Sequence, residues 1–309
     1  MTAASTAATA VQVLGGVVLA PLLPGLVQQF KARLQGRRGA SPLQPYRDLA
    51  RLWRKSGVAV EGAGIVYRLA PSVAAASLAV AVLLVPVAAA SAPLGVGHDA
   101  LALLGLLALA RFAVAAASWD VANGFALMGA SRDLTIAVFV EATLVLALAV
   151  AALVAGTTDL TAVIAATAGT DVWASPALPL GAVAFSLVVI AETGRQPVDN
   201  PDTHLELTMI HEGPLLEYAG RDLAYLQWAA AVRHWLMLVL AAQVFVPHPR
   251  GVAAQLVALP LTLLALCGAL ALVETLRVKM RILLVPRLLA VGAAVALLGI
   301  AAWLVEVAS

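Results

Sequence analysis

Residues 188–224 read VVIAETGRQPVDNPDTHLELTMIHEGPLLEYAGRDLA. The run begins as apolar, membrane-like sequence and turns acidic at Glu192. Seven carboxylates follow up to Asp222 (Glu192, Asp199, Asp202, Glu206, Glu212, Glu217 and Asp222), against two arginines, Arg195 and Arg221. So much negative charge beside a stretch suited to hydrocarbon needs a partner, and the rest of the chain indicates which kind.

The chain has 309 residues, of which 62% are hydrophobic and 12% charged, with a mean hydropathy of +0.96. Soluble domains carry about 25% charged residues. This composition predicts an all-α polytopic membrane helix bundle forming a single transmembrane domain over 1–309. The net charge of +2 gives no basis for binding nucleic acid. Cys267, the single cysteine, lies in an apolar run, which excludes an intrachain disulfide and a Cys-rich metal cluster. No charge precedes Lys31, so the basic leader of a cleaved signal peptide is missing and the first apolar run is expected to stay as a helix.

About 20 apolar residues cross the hydrocarbon core as a helix. Eight runs qualify: 7–29, 71–92, 97–118, 134–156, 175–193, 226–246, 254–274 and 285–306. The apolar segment 159–168 is too short to span. The first, third, fifth and seventh loops, the last counted with Arg287 at its edge, hold nine, one, two and four Lys or Arg, 16 of the 19. By the positive-inside rule these loops are cytoplasmic and both termini face outward. The basic loop at 30–70 contains an amphipathic segment, 44–55. Leu49, Leu52 and Trp53 can lie in the interface there while Arg47, Arg51, Arg54 and Lys55 face water. It suits anionic lipid head groups or a docked protein.

A charge inside a spanning helix costs several kcal/mol unless it finds a partner or water. Arg111 and Glu141 each lie seven residues from the cytoplasmic end of their runs, hence about 10 Å deep at 1.5 Å per residue. Arg233 and His234 reach a comparable depth. Two readings stand: a buried Arg111–Glu141 pair that fixes helix packing, or a hydrated polar belt in which Glu141 and His234 exchange protons.

In the acidic loop, His204 and His211 lack an HExxH pattern or a convergent ligand set, so no metal site is expected. The acids alternate with Leu205, Leu207, Met209, Ile210, Leu215 and Leu216, which argues against a merely solvated surface. A loop both acidic and apolar at a membrane edge suggests a protein interface or a polar cavity.

The run Glu192-Thr-Gly-Arg195-Gln-Pro197-Val-Asp199 resembles the ExxRxPxD signature of the complex I subunit 1 family. Its continuation, NPDTHLELTMIHEGPLLEYAG, is similar to the hydrogenase branch of that family, which includes formate hydrogenlyase subunit 4, hydrogenase-4 component C and the membrane-heel subunit of membrane-bound [NiFe] hydrogenases. The stretches 21–55, 129–144 (GASRDLTIAVFVEATL) and 273–289 (VETLRVKMRILLVPRLL) agree, so the resemblance covers nearly the whole chain. Ala40 departs from it, since relatives usually have proline there.

The resemblance implies a non-catalytic, multi-pass subunit of the cell inner (cytoplasmic) membrane. It would join a peripheral arm, with hydrogenase-like large and small subunits, to antiporter-like membrane subunits. Cofactors are expected in the partners, as Fe–S clusters and a NiFe centre, and none in this chain. Glu141, Glu192, Arg195, Asp199, Glu206, Glu212 and Glu217 carry over as coupling residues, joined by Arg111, Arg233 and His234 from their depth. Arg195 would hold the loop carboxylates together, and the loop at 194–225 would contact the arm. Two alternatives remain: a quinone-chamber subunit 1 of NADH:quinone oxidoreductase, and a passive anchor.

Overall fold

The computed structural model describes residues 12–58, 60–87, 92–200, 210–249 and 251–308. Among them the regular structure is helical, with no strand. The principal helices are α1 (Leu22–Leu34), α2 (Gln44–Arg54), α3 (Ile65–Leu84), α4 (Asp99–Val121), α5 (Gly124–Ala155), α6 (Leu160–Thr167), α7 (Ala177–Glu192), α8 (Gly220–Val244), α9 (Val252–Leu276) and α10 (Val285–Ala308).

Among the described residues six helices, α3, α4, α5, α8, α9 and α10, are long and apolar enough to cross a membrane. The first expected span, as far as it is described, is a helix pair: Gln12–Leu19 meets α1 at a bend of 53°. Pro21 sits at that break, where proline tolerates the start of a helix but not its interior. The fifth is α7, whose 16 residues are short for a full crossing. The amphipathic segment in the basic loop is helical as α2, with no residue fully buried.

Helix α8 is the axis of the bundle. Some 67% of its apolar window is buried, against 17% for α9 and 22% for the α10 region. Helices α3, α7 and α2 pack on α8, α4 packs along α3, and α10 packs against α5 and α7. Peripheral α9 lies beside α1. Burial of small residues such as Ala74, Ala81, Ala147 and Ala184 lets these helices approach closely.

Helix α5 begins ten residues ahead of the expected 134, because Asn123 caps it by accepting the Phe125 amide hydrogen at 2.8 Å. Its 32 residues give a length of about 48 Å, well beyond a hydrocarbon core of about 30 Å. The extra turns bring Asp133 into the helix and provide a shelf for the acidic loop. Gly129 and Gly213 meet there backbone to backbone: a Cβ on Gly129 would stand 2.8 Å from the Gly213 Cα.

Candidate ion-coupling site

Arg111 is the hub. It is 6% exposed, and its guanidinium reaches three carboxylates from two other helices. Nη1 donates to Glu141 Oε1 at 2.9 Å and Nη2 to Glu192 Oε1 at 2.7 Å, while Nε lies 3.6 Å from Asp133 Oδ2. A planar fork serves two acceptors at once, which a lysine ammonium at the same place would not do as well. Glu192 is also approached by Arg233, whose Nη1 donates to Oε2 at 3.3 Å. Arg233 Nη2 donates to the Leu107 carbonyl at 3.5 Å.

From Asp133 the chain of charges continues into the loop. His211 Nε2 is 3.8 Å from Asp133 Oδ1, and its Nδ1 is 3.2 Å from Asp199 Oδ2. Asp199 Oδ1 accepts from Lys279 Nζ at 3.1 Å. The series therefore runs from Lys279 through Asp199, His211, Asp133 and Arg111 to Glu141, with Glu192 and Arg233 as a branch. Arg111, Arg233 and Lys279 stand against Asp133, Glu141, Glu192 and Asp199. Protonated His211 makes this set neutral, so one proton gained or lost leaves net charge in a poorly solvated place.

Burial opposes protonation of His211, but its hydrogen bond to Asp199 and the charge of Asp133 outweigh that and raise its pKa. Burial likewise pushes the Asp199 carboxyl up, while the hydrogen bond and charge of His211, the Asn200 amide and Lys279 together hold it far below the ordinary carboxylate range. A raised histidine adds stability that is fully present below its unfolded value, about 6.5, and is lost as pH rises through the folded value. Asp199 adds stability that is lost only as pH falls through its depressed value. Hydrogen–deuterium exchange at 193–200 and 210–216 is therefore expected to speed up, beyond its intrinsic pH dependence, as pH rises above neutrality. His211→Gln should flatten that response; an unchanged response would remove His211 as its source.

A second buried cluster sits beside the first. Arg195 Nη1 contacts both Glu274 oxygens at 3.4 Å, and Lys31 Nζ lies 3.9 Å from Glu274 Oε2. Among the described residues Arg195 thus holds a carboxylate of α9 and not those of the loop, contrary to the role expected of it. The cause is local: the turn after α7 returns the Asp199 amide to the Arg195 carbonyl at 3.2 Å, and the side chain of Arg195 is turned into the bundle. Loop carboxylate Asp199 is held by His211 and Lys279 instead.

A cavity of about 670 Å³ joins the clusters, bounded by Pro21, Pro24 and the α2 residue Leu49 on one side and by Arg111, Arg195 and His234 on the other. His234 Nε2 and Arg195 Nε are buried there without a hydrogen-bond partner among the described residues. A smaller cavity of about 240 Å³ lies beside Glu141, between Leu104, Leu107 and Leu144. The Glu141 side chain is 41% exposed, so it stands at the flank of the bundle, within the span.

Of the residues expected at the site, Arg111, Glu141, Glu192, Asp199 and Arg233 come together as described. Arg195 and His234 line the larger cavity, as does Glu212. Glu217 stands apart: its carboxylate accepts from Asn123 Nδ2 and its carbonyl from the Tyr67 hydroxyl at 2.7 Å, which ties the loop to α5 and α3. Glu206, with Asp202 and His204, lies outside the described residues. Asp133, His211, Glu274, Lys279 and Lys31 are participants that sequence reasoning did not select as coupling residues. Among the described residues no group of three His, Cys, Asp or Glu side chains is placed to hold a metal ion.

A polytopic helical bundle whose ExxRxPxD turn feeds a buried charge network defines a class, and comparison with known proteins identifies it. The NADH dehydrogenase family model matches residues 7–306, and the chain belongs to that family, that of complex I subunit 1. It is 36% identical over 236 residues to hydrogenase-4 component C of Escherichia coli, covering 76% of this chain and 73% of that protein. Formate hydrogenlyase subunit 4 of the same organism is 34% identical over 237 residues, with 77% and 76% covered. An NADH-quinone oxidoreductase subunit of Geobacillus kaustophilus is 29% identical over 245 residues, with 75% and 72% covered. In structure, the chain is similar to one from the membrane-bound sulfane sulfur reductase, an archaeal respiratory membrane complex. That match has a TM-score of 0.82 at 20% identity, over 97% of this chain and 99% of the other.

Proposed function

We propose that this chain is the membrane subunit of a hydrogenase-type complex on which the peripheral redox arm is seated, and that it couples electron transfer there to proton or Na⁺ translocation. The observation that carries this reading is the unbroken series of charged groups from Lys279 and Asp199 at the loop to Glu141 at the bundle flank. A rearrangement of the loop beneath the arm moves His211 relative to Asp133 and Asp199. That changes the charge balance around Arg111, and Glu141 takes up or releases an ion in response. Strongly interacting groups of this kind titrate together, so the ion belongs to the set.

The partners that fit are hydrogenase-like large and small subunits against the loop and antiporter-like membrane subunits beside Glu141. Fe–S clusters and a NiFe centre belong to the arm, and the setting is the inner cytoplasmic membrane. The greater identity to hydrogenase-4 component C and formate hydrogenlyase subunit 4 than to the quinone oxidoreductase protein supports the hydrogenase branch. The cavity of about 670 Å³ favours a second reading, a quinone-chamber subunit 1, and a quinone retained in the purified complex would establish it.

Asp199→Asn combined with Glu206→Gln tests the seating of the arm. Less arm protein should co-purify with a tag on this chain, or ion movement per turnover should fall. Unchanged assembly and unchanged coupling would reject the interface.

A further inference from the structure

At the end of α4 remote from Arg111 there is a second acidic contact that the coupling axis does not use. Asp99 is fully buried at the start of α4. Its Oδ1 accepts the Val96 amide hydrogen at 2.7 Å, whereas Oδ2 is buried and, among the described residues, receives no hydrogen bond from a fixed donor. The side chain that faces it is the carboxyl of Asp159. Asp159 has its own structural duty, capping α6 by accepting the Thr161 amide hydrogen at 2.9 Å.

The two segments are joined independently of these side chains. The Ala100 amide donates to the Thr158 carbonyl at 3.1 Å, and His98 Nδ1 lies 2.9 Å from the Thr158 hydroxyl. These bonds hold the segments that carry Asp99 and Asp159 side by side. Two carboxylates in contact, one of them fully buried, cannot both be ionised without strong repulsion, and one proton between them turns repulsion into a hydrogen bond.

We propose that Asp99 and Asp159 share one proton and form a pH-sensitive latch between the segment leading into α4 and the start of α6. The titratable groups facing Asp99 are Asp159, from α6, and His98, from its own segment. The latch is separate from the coupling axis. Twelve residues, about 18 Å of helix, divide Asp99 from Arg111, and residues 100–110 between them carry no polar side chain. By the charge of the loops it lies on the outward face, the side into which ions would be released. Acidification there closes the latch. A rise in pH removes the shared proton, the carboxylates repel, and the bonds of Val96, Ala100 and Thr161 open together.

Hydrogen–deuterium exchange on the intact complex in detergent, corrected for intrinsic pH dependence, tests the latch at residues 92–102 and 156–163. In the wild type, protection should fall at least tenfold as pH rises. Asp99→Asn should abolish that response, because an amide nitrogen donates to Asp159 at every pH while the amide oxygen keeps the Val96 bond. Asp159→Asn should do the same, since asparagine also caps helices well, and it serves if the first variant fails to fold. His98→Gln should retain the wild-type response. A flat wild-type profile, a response that persists in both asparagine variants, or one abolished by His98→Gln alone would overturn the latch.

Discussion

Arg111→Met is expected to leave an assembled complex that is much less stable. The substitution nearly preserves volume but removes the charge that faces Asp133, Glu141 and Glu192. Among the described residues, Glu192, 5% exposed, would then keep only the longer contact to Arg233, and Asp133 only His211. Removing one member of a buried ion pair costs about 3–5 kcal/mol, a large share of any domain's stability. Thermal unfolding of the purified complex should show the loss directly. Arg111→Lys should recover part of it, because the charge returns without the fork that serves two carboxylates. Arg111→Met combined with Glu192→Met should recover a smaller part, since the most deeply buried of the three carboxylates is then gone, while Asp133 and Glu141 still lack the guanidinium and Arg233 loses Glu192. That double variant separates stability from function: some stability should return while coupling stays lost. Wild-type stability of Arg111→Met alone would show that the guanidinium is not the hub.

Gly129→Val is expected to lift the acidic loop from its shelf. The added Cβ would meet the Gly213 Cα at 2.8 Å, Pro214 Cδ at 2.9 Å and the Gly213 carbonyl carbon at 3.0 Å, all parts of a short helical turn with no flexible end to move aside. Overpacking of this kind costs about 1–3 kcal/mol. Here relaxation has one direction, outward, and it separates His211 from Asp133. Protease sensitivity at 193–218 should rise and coupling should fall, with α5 still formed. Gly268→Ala is the control, because a Cβ there meets nothing within 4 Å. Similar behaviour of the two variants would mean that the close approach of the glycines is not what seats the loop.

Much of this arrangement can be read from the residues. The amphipathic helix was expected at 44–55 and lies at Gln44–Arg54, because its apolar and basic residues alternate at helical spacing. Contact between Arg111 and Glu141 follows from equal depth on helices that are neighbours in the chain. Asp133 was legible in part. It precedes Glu141 by eight residues, about two turns, but it stands just outside the apolar run, and hydropathy does not register a helix that continues beyond the membrane. Contacts of Glu274 and Lys279 with Arg195 and Asp199 join positions 79 and 80 residues apart, through the end of α9 and the segment that follows it. Nothing local encodes them. The same holds for Gly129 and Gly213, whose approach depends on how the loop folds back on α5. His211 had a visible signal, a histidine among acids, but its contacts with Asp133 and Asp199 depend on how the loop folds back.

The central claim is that Glu141 is a station for the ion that redox turnover moves. Glu141→Gln keeps the size and an acceptor for Arg111 Nη1, and as a half-exposed position it should leave assembly and electron transfer intact. The decisive measurement is ion flux per turnover by the variant complex in sealed proteoliposomes, recorded separately for protons and Na⁺. Persistent electron transfer with flux reduced at least tenfold is the expected result. Flux per electron equal to that of the wild type would contradict the account.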